Sequence, residues 1–212
     1  MFNYYFNSMS NLFSIKLEIL HNNIMFVMIY ICVFILFFFY KIVKNKKINL
    51  FFIENYNLEL YWTLLPIFIL LIICLSSLNL LYFSNIIHNP FYNIIVIGNQ
   101  WYWEYNINFF DNRIDYLSYL SVLKTGDLSG FEVDKFIFLP VNIPILFLFT
   151  SSDVIHSYSI PELSLKVDCI PGRLNSLIVN TFRVGKYFGQ CSELCGINHS
   201  FMPCCVFVYD LL

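Results

Sequence analysis

Gly189-Gln190-Cys191-Ser192-Glu193-Leu194-Cys195-Gly196-Ile197-Asn198-His199-Ser200-Phe201-Met202 sets two thiols, a carboxylate, an imidazole and a thioether between turn-forming residues. Thiolate and thioether are soft ligands that suit Cu(I), and imidazole also suits Cu(II), so the stretch reads as a loop that holds copper through a redox cycle. A second imidazole, His156 in Ser152-Asp153-Val154-Ile155-His156-Ser157, stands 43 positions before His199. It joins the loop only through the fold, which makes the site a statement about tertiary structure.

Other chemistries compete for the same residues. Two Cys and two His make a tetrahedral zinc set, but the spacing C-x3-C-x3-H-x2-M runs through one loop and ends on a thioether that zinc has little use for. A single blue-copper site takes two His, one Cys and a weak axial Met, which leaves one thiolate over. Two thiolates at i and i+4 could bridge a pair of coppers, with His156 and His199 at the ends and Met202 and a main-chain carbonyl as weak ligands. One electron spread over two metals lowers the reorganisation that transfer requires. A Cys191–Cys195 disulfide would leave the imidazoles and Met202 without a role.

Composition sets the surroundings. Of 212 residues, 58% are hydrophobic, 20% aromatic and 12% charged, against about 25% charged in an ordinary soluble domain. Membrane segments are expected. Ala is absent while Asn, Ile, Phe, Tyr and Leu abound, as a strongly AT-biased coding sequence produces, and this associates the chain with an organellar genome. The first twenty residues carry one Lys, one Glu and no Arg, neither a secretory signal nor an Arg-rich presequence, so import from outside is not expected. Seven cysteines are an odd number, and Cys32 and Cys74 lie in apolar runs where they act as small hydrophobes.

Ile24–Val43 and Leu64–Phe83 are apolar runs, each about 30 Å long as a helix, which matches a bilayer's hydrocarbon core. Pro66 is expected near the start of the second helix, where its missing N–H does least harm. Lys41, Lys44, Lys46 and Lys47 lie between the runs. By the positive-inside rule that loop stays on the side of synthesis, with both termini opposite. Tyr40, Tyr61, Trp62 and Tyr82 suit the interfaces. From residue 84 the pattern changes to short β-branched and aromatic runs: Ile94–Ile97, Trp101–Ile107, Phe131–Phe138, Ile143–Phe149, Leu177–Thr181 and Val206–Tyr209, separated by Gly, Pro, Asn and Asp. They predict one small all-β domain. The organisation expected is an N-terminal segment 1–23, a transmembrane helical hairpin 24–83 and a β domain 84–212. Residues 84–212 hold 7 basic and 11 acidic side chains, which favours a basic partner by electrostatic steering and gives no ground for nucleic-acid binding.

Asp153-Val154-Ile155-His156-Ser157, Asp168-Cys169-Ile170-Pro171-Gly172-Arg173-Leu174-Asn175 and Gly189–Pro203 occur in an order that resembles the subunit II family of mitochondrial cytochrome c oxidases. The resemblance runs from the membrane hairpin onward. It implies an α+β membrane protein, a two-helix transmembrane hairpin followed by a cupredoxin-like domain. That domain would hold the binuclear CuA centre through His156, Cys191, Cys195, His199 and Met202, with Glu193 contributing its main-chain carbonyl. The Glu193 carboxylate would reach a magnesium ion shared with subunit I.

Gly98-Asn99-Gln100-Trp101-Tyr102-Trp103-Glu104-Tyr105 resembles the family's aromatic segment. By residue type alone such a run is packing or an interface anchor; the resemblance makes Trp101 the point where electrons arrive from cytochrome c. Asn99 stands where the family usually has His or Arg. Glu59, by itself a solvated interfacial acid, becomes the mouth of a proton path into subunit I. Glu104, Asp111, Asp115 and Asp153 are the acids expected to meet a lysine-rich face of cytochrome c. Asp168 and Arg173 flank a Pro-Gly turn that supports the loop, the subunit I contact or a structural salt bridge between them.

The family reading further implies haem only in the partner subunit, contact with subunits I and III, accessory subunits and membrane lipid, and oxygen reduced to water with proton pumping. It places the protein in the mitochondrial inner membrane, the CuA domain and both termini in the intermembrane space and the basic loop in the matrix. A quinol oxidase subunit would lack the copper ligands, and a membrane-anchored single-copper carrier is the alternative. The chain stops soon after its last expected strand, without the family's C-terminal helical tail. Cys204 and Cys205 should alternate, one inward and one outward, as bystanders.

Overall fold

The computed structural model describes residues 10–47, 51, 53–84, 89–109, 112–121 and 130–210. Asp111, one of the expected docking acids, lies outside them. The chain divides into two compact units, Lys16–Phe83 and the residues through Ile15 together with Ser84 onward.

Helix α1 spans Leu12–Lys44. At its start the Ser14 N–H donates to Asn11 Oδ1 at 2.6 Å and the Asn11 N–H to Ser14 Oγ at 3.2 Å, a reciprocal cap for amides that lack a helical acceptor. Lys41 and Lys44 occupy the last turn, where cations complement the helix dipole. Helix α2 spans Tyr56–Ser84, and Asn55 Oδ1 accepts the Leu58 N–H at 3.1 Å. Both helices exceed the apolar runs 24–43 and 64–83. Residues 12–23, expected to form a separate N-terminal segment, are the first turns of α1. Pro66 sits in the interior of α2, because Asn55 caps the helix well before the apolar run begins. The most apolar window of each helix has no buried side chain, so these faces await an apolar medium. Lys16 Nζ lies 3.5 Å over the Phe83 ring, bringing the start of α1 to the end of α2 as an antiparallel hairpin requires.

The β unit has ten strands among the described residues: β1 Asn93–Asn99, β2 Tyr102–Phe109, β3 Asn112–Ser118, β4 Ile137–Pro140, β5 Ile145–Ser151, β6 His156–Ile160, β7 Leu165–Cys169, β8 Asn175–Val179, β9 Gly185–Cys191 and β10 Pro203–Tyr209. They form two five-stranded sheets, ordered β3-β2-β1-β5-β8 and β4-β10-β9-β6-β7. β1 is parallel to β5 and β10 to β4; the other pairs are antiparallel. Period-two burial sends Ile94 and Val96 of β1 and Ile145, Phe147 and Phe149 of β5 into a shared core with Trp103, Tyr105, Tyr158, Ile160 and Val206. Residues 10 and 11 dock on this unit: Asn11 Nδ2 donates to the Leu163 carbonyl at 2.5 Å and Ser10 Oγ to the Glu162 carbonyl at 2.8 Å.

One expectation is corrected. Of the run 131–138 only Ile137 and Phe138 enter a strand, β4. The preceding residues lie across the outer face of the second sheet, where Glu132 pairs with Lys186, Lys186 Nζ sits 4.5 Å over the Phe136 ring, and Gln190 Nε2 donates to the Gly130 carbonyl at 3.3 Å. The alternation expected at Cys204 and Cys205 is present, and beneath that covering both are fully buried. Cys204 faces the core beside the Ser159 carbonyl at 3.6 Å, while Cys205, on the other face of β10, lies within electrostatic reach of Lys186 and Glu132.

Candidate metal centre

Three strands of the second sheet assemble the site. β9 lies between β10 and β6, so the loop from Cys191, last residue of β9, to Met202, just before β10, closes over the end where β6 begins with His156. The register pairs Tyr158 with Cys191, setting His156 two residues further along its strand. This pairing removes the sequence gap between the two halves of the donor set.

The donor atoms converge. Cys191 Sγ is 3.9 Å from Cys195 Sγ and 3.9 Å from His156 Nδ1. Cys195 Sγ is 3.4 Å from His199 Nδ1 and 3.5 Å from Met202 Sδ. The Glu193 carbonyl oxygen lies 3.3 Å from Cys191 Sγ. Both cysteines are free thiols, well beyond the roughly 2.05 Å of a disulfide. Each thiol thus has an imidazole of its own and one weak donor beside it, a thioether at Cys195 and a carbonyl at Cys191. This soft, nearly symmetric set fits copper, and the adjacent thioether is foreign to a zinc knuckle.

Glycines make the approach possible. A Cβ on Gly98 would stand 2.8 Å from His156 Cδ2, so the bare backbone of β1 leaves room for the ring. A Cβ on Gly189 would lie 2.0 Å from the Ser159 carbonyl, and only glycine allows β9 and β6 to come that close. His156 Nε2 is 2.8 Å from Asp153 Oδ1, leaving Nδ1 toward the thiols. Carboxylate partners of this kind fix ring orientation in metal sites. Trp103 packs edge-on to His156, with ring centroids 6.0 Å apart, and donates its indole N–H to the Met202 carbonyl at 3.2 Å.

Burial raises the Asp153 carboxyl, but hydrogen bonds from His156 and from the backbone N–H groups of Val154 and Gln100 outweigh it and hold the group below the usual value. Burial likewise disfavours a charged His156, and the Cys191 and Asp153 contacts overcome it, raising the imidazole. For Cys191 the upward push of burial is outweighed by His156 and by contacts with the backbone of Ser157 and Glu193, giving about 7. Burial and the neighbouring Cys191 push Cys195 up to about 12. Of the two thiols, Cys191, beside the imidazole, is the more acidic.

Trp101 lies at the β1–β2 turn, and a Cβ on Gly196 would meet its Cζ2 at 3.1 Å. Its indole nitrogen is buried with no hydrogen-bond partner among the described residues. Asn99 is buried and bonds to Ser152, which removes it from the exposed surface. Of the described docking acids, Asp153 is bonded into the centre. Asp115 receives Arg113 Nε at 2.9 Å, and Asn106, in the amide orientation that satisfies its neighbours, bridges Glu104 and Asp115 at 3.2 Å each on the β2–β3 face. No ion pair joins Asp168 to Arg173 among the described residues; the turn is held by the Arg173 N–H on the Ile170 carbonyl at 3.2 Å and by Asn175 Nδ2 on the Asp168 carbonyl at 2.7 Å. The Glu193 side chain is exposed. Glu59 belongs to the helical unit, exposed in the first turn of α2. Gly98, Gln100, Trp103 and Gly189 are residues of the site that sequence reasoning passed over, since each acts on residues remote from it in sequence.

Two apolar helices leading into a two-sheet sandwich, with thiols, imidazoles and a thioether gathered at one end, define a membrane-anchored cupredoxin-like protein. Residues 92–208 match the family described as "Cytochrome C oxidase subunit II, periplasmic domain", and residues 2–80 match its "transmembrane domain". The chain belongs to the cytochrome c oxidase subunit II family, whose members are subunits of a haem-copper oxidase, an oxidoreductase. It is 43% identical to cytochrome c oxidase subunit 2 of Apis florea over 201 residues, 93% of this chain and 88% of that one. With the subunit of Branchiostoma floridae it shares 42% over 185 residues, 86% of this chain and 80% of that one. The crystal structure of the periplasmic domain of subunit II of cytochrome oxidase of Bradyrhizobium japonicum superposes with a TM-score of 0.55 at 33% identity, covering 59% of this chain and 89% of that one.

Proposed function

We propose that this chain accepts single electrons from cytochrome c at a binuclear CuA centre and passes them to haem in subunit I, where oxygen is reduced to water with proton pumping. The observation that carries the reading is the paired donor set: two thiols 3.9 Å apart, each with its own imidazole and a weak donor alongside. Bound there, copper supplies a one-electron acceptor and donor. His156, Cys191, Cys195, His199 and Met202 hold it through side chains, and Glu193 through its carbonyl.

The chain's own residues do the rest. Asp153 fixes the His156 ring, and Trp103 anchors Met202 from the core, so the donors keep one arrangement and little reorganisation accompanies transfer. Burial of Cys191, Cys195, His156 and Met202 excludes water. Trp101, packed on the ligand loop, is the side chain through which electrons arrive. Asp153 at the centre, with Glu104 and Asp115 on the β2–β3 face and Asp111, draws the lysine-rich face of cytochrome c. The exposed Glu193 carboxylate binds a magnesium ion shared with subunit I, and Glu59 admits protons to subunit I.

The protein sits in the mitochondrial inner membrane beside subunits I and III and accessory subunits, with the copper domain and both termini in the intermembrane space and the basic loop in the matrix. Copper stoichiometry and the electron paramagnetic resonance spectrum of the oxidised full-length chain test the core of this reading. Two coppers per chain with hyperfine structure shared between equivalent nuclei are expected. A single-copper pattern with one metal per chain would overturn it in favour of a membrane-anchored single-copper carrier.

A further inference from the structure

Asn99 pairs with Tyr102, so Gln100 and Trp101 are the two-residue tip of the β1–β2 hairpin, a place where side chains ordinarily face solvent. Here the tip turns onto the metal centre. The Gln100 N–H donates to Asp153 Oδ2 at 2.7 Å, while the other carboxylate oxygen of Asp153 meets His156 Nε2 at 2.8 Å. The Gln100 side-chain amide donates to the Cys195 carbonyl at 2.9 Å. One residue therefore spans the histidine side and the cysteine side of the site.

The cysteine side depends on such a tie. Leu194 and Ile197 are 79% and 90% exposed, and Cys195 is the buried residue between them, so packing holds this part of the loop through that one side chain. The loop's backbone tie to β6, from the Ser192 N–H to the Ser157 carbonyl at 2.9 Å, lies before this part, and the bonds that follow, from the His199 N–H to the Gly196 carbonyl and from the Phe201 N–H to the Asn198 carbonyl, stay within the loop. Among the described residues, Gln100 is the side chain outside the loop that donates to residues 193–198. Gly196 adopts φ +125°, and a Cβ there would stand 3.3 Å from Gln100 Nε2 and 3.1 Å from Trp101 Cζ2. The glycine lets both tip residues lie on the loop.

We propose that Gln100 is a positioning residue: its amide locks the Cys195–Asn198 limb to the Asp153–His156 side and keeps Trp101 seated on the loop. The proposal rests on the copper reading for its consequence, since the Cys195 carbonyl and the Sγ it orients belong to the same residue. Outer partners of metal ligands typically change metal affinity by about 10- to 100-fold when removed.

The test uses the full-length chain in detergent as wild type, Gln100→Leu and Gln100→Asn. Leu removes the donor at nearly the same volume, Asn retracts it by one methylene, and both keep the backbone arm to Asp153. In the metal-free chain, amide hydrogen exchange of residues 194–198 should quicken severalfold. In the copper-loaded chain the hyperfine pattern should shift and release to a chelator should accelerate about tenfold, with thermal melting nearly unchanged. Exchange and release within about twofold of wild type would overturn the proposal. If the Leu variant fails to fold, the Asn variant decides. A wild-type chain without the two-copper spectrum would defeat the copper reading, while the metal-free exchange would still judge the tie.

Discussion

Gly98→Ala tests the geometry of the centre most directly. The added Cβ would stand 2.8, 3.0 and 3.1 Å from Cδ2, Cγ and Cβ of His156, so the ring must retreat by roughly 0.6 Å to reach ordinary contact, against a tolerance of about 0.2 Å in metal–ligand distances. The ring has no slack to offer: Asp153 holds Nε2 at 2.8 Å and Trp103 stands against its side. Gly98 is absent from the glycines with positive φ, so alanine adds crowding without backbone strain. Overpacking of this size costs about 1–3 kcal/mol. The full-length variant should melt several degrees lower, bind copper at least tenfold more weakly, in line with about 10- to 100-fold for misplaced metal shells, and show an altered hyperfine pattern. Wild-type copper content with an unchanged spectrum would refute the claim that the bare backbone of β1 makes room for the His156 ring.

Gly189→Ala places a Cβ 2.0 Å from the Ser159 backbone carbonyl, which no rotamer change relieves; the β6–β9 contact should part and the β domain fail to accumulate in folded form, as limited proteolysis would report. Burial holds the phenols of Tyr105 and Tyr158 well above their usual 10. An unfolded chain loses those protons first, so stability present below pH 10 should fall as pH rises beyond it, by about 1.4 kcal/mol per pH unit for each tyrosine; melting temperatures that stay level from pH 9 to about 11 would contradict this. Glu59→Ala should slow proton-coupled turnover of the assembled oxidase and leave the copper spectrum intact, and unchanged turnover would remove Glu59 from the proton path. Association with cytochrome c should weaken as ionic strength rises, because exposed charges are screened within about 10 Å at 0.1 M salt; an affinity insensitive to salt would defeat the steering argument.

The helices were legible because hydrophobic run length is a local property. The caps were less so, and Pro66 shows why: Asn55 starts α2 well before the apolar run. Strands rich in Ile, Val and Phe stood out, as in β1 and β5, whereas β6 (His156-Ser157-Tyr158-Ser159-Ile160) and β9 (Gly185–Cys191) carry Ser, Gly and polar residues whose strand character comes from their neighbours in the sheet. Alternation put Cys204 and Cys205 on opposite faces of β10, and the segment before β4, remote in sequence, is what buries the outward one.

From the sequence by itself came the membrane hairpin, the β character of the chain beyond residue 84 and the types of the candidate donors, because apolar length, branching at Cβ and the softness of a donor atom belong to single residues and short runs. Only the tertiary structure decided that His156 meets Cys191, that Asp153 turns the imidazole, that Gly98 and Gly189 leave the space a side chain would fill, and that Gln100 reaches Cys195. Those relations depend on strand order and register, with β6 beside β9 and the β1–β2 tip folded onto the loop, and a donor set becomes a site only when atoms far apart along the chain come within about 4 Å of one another.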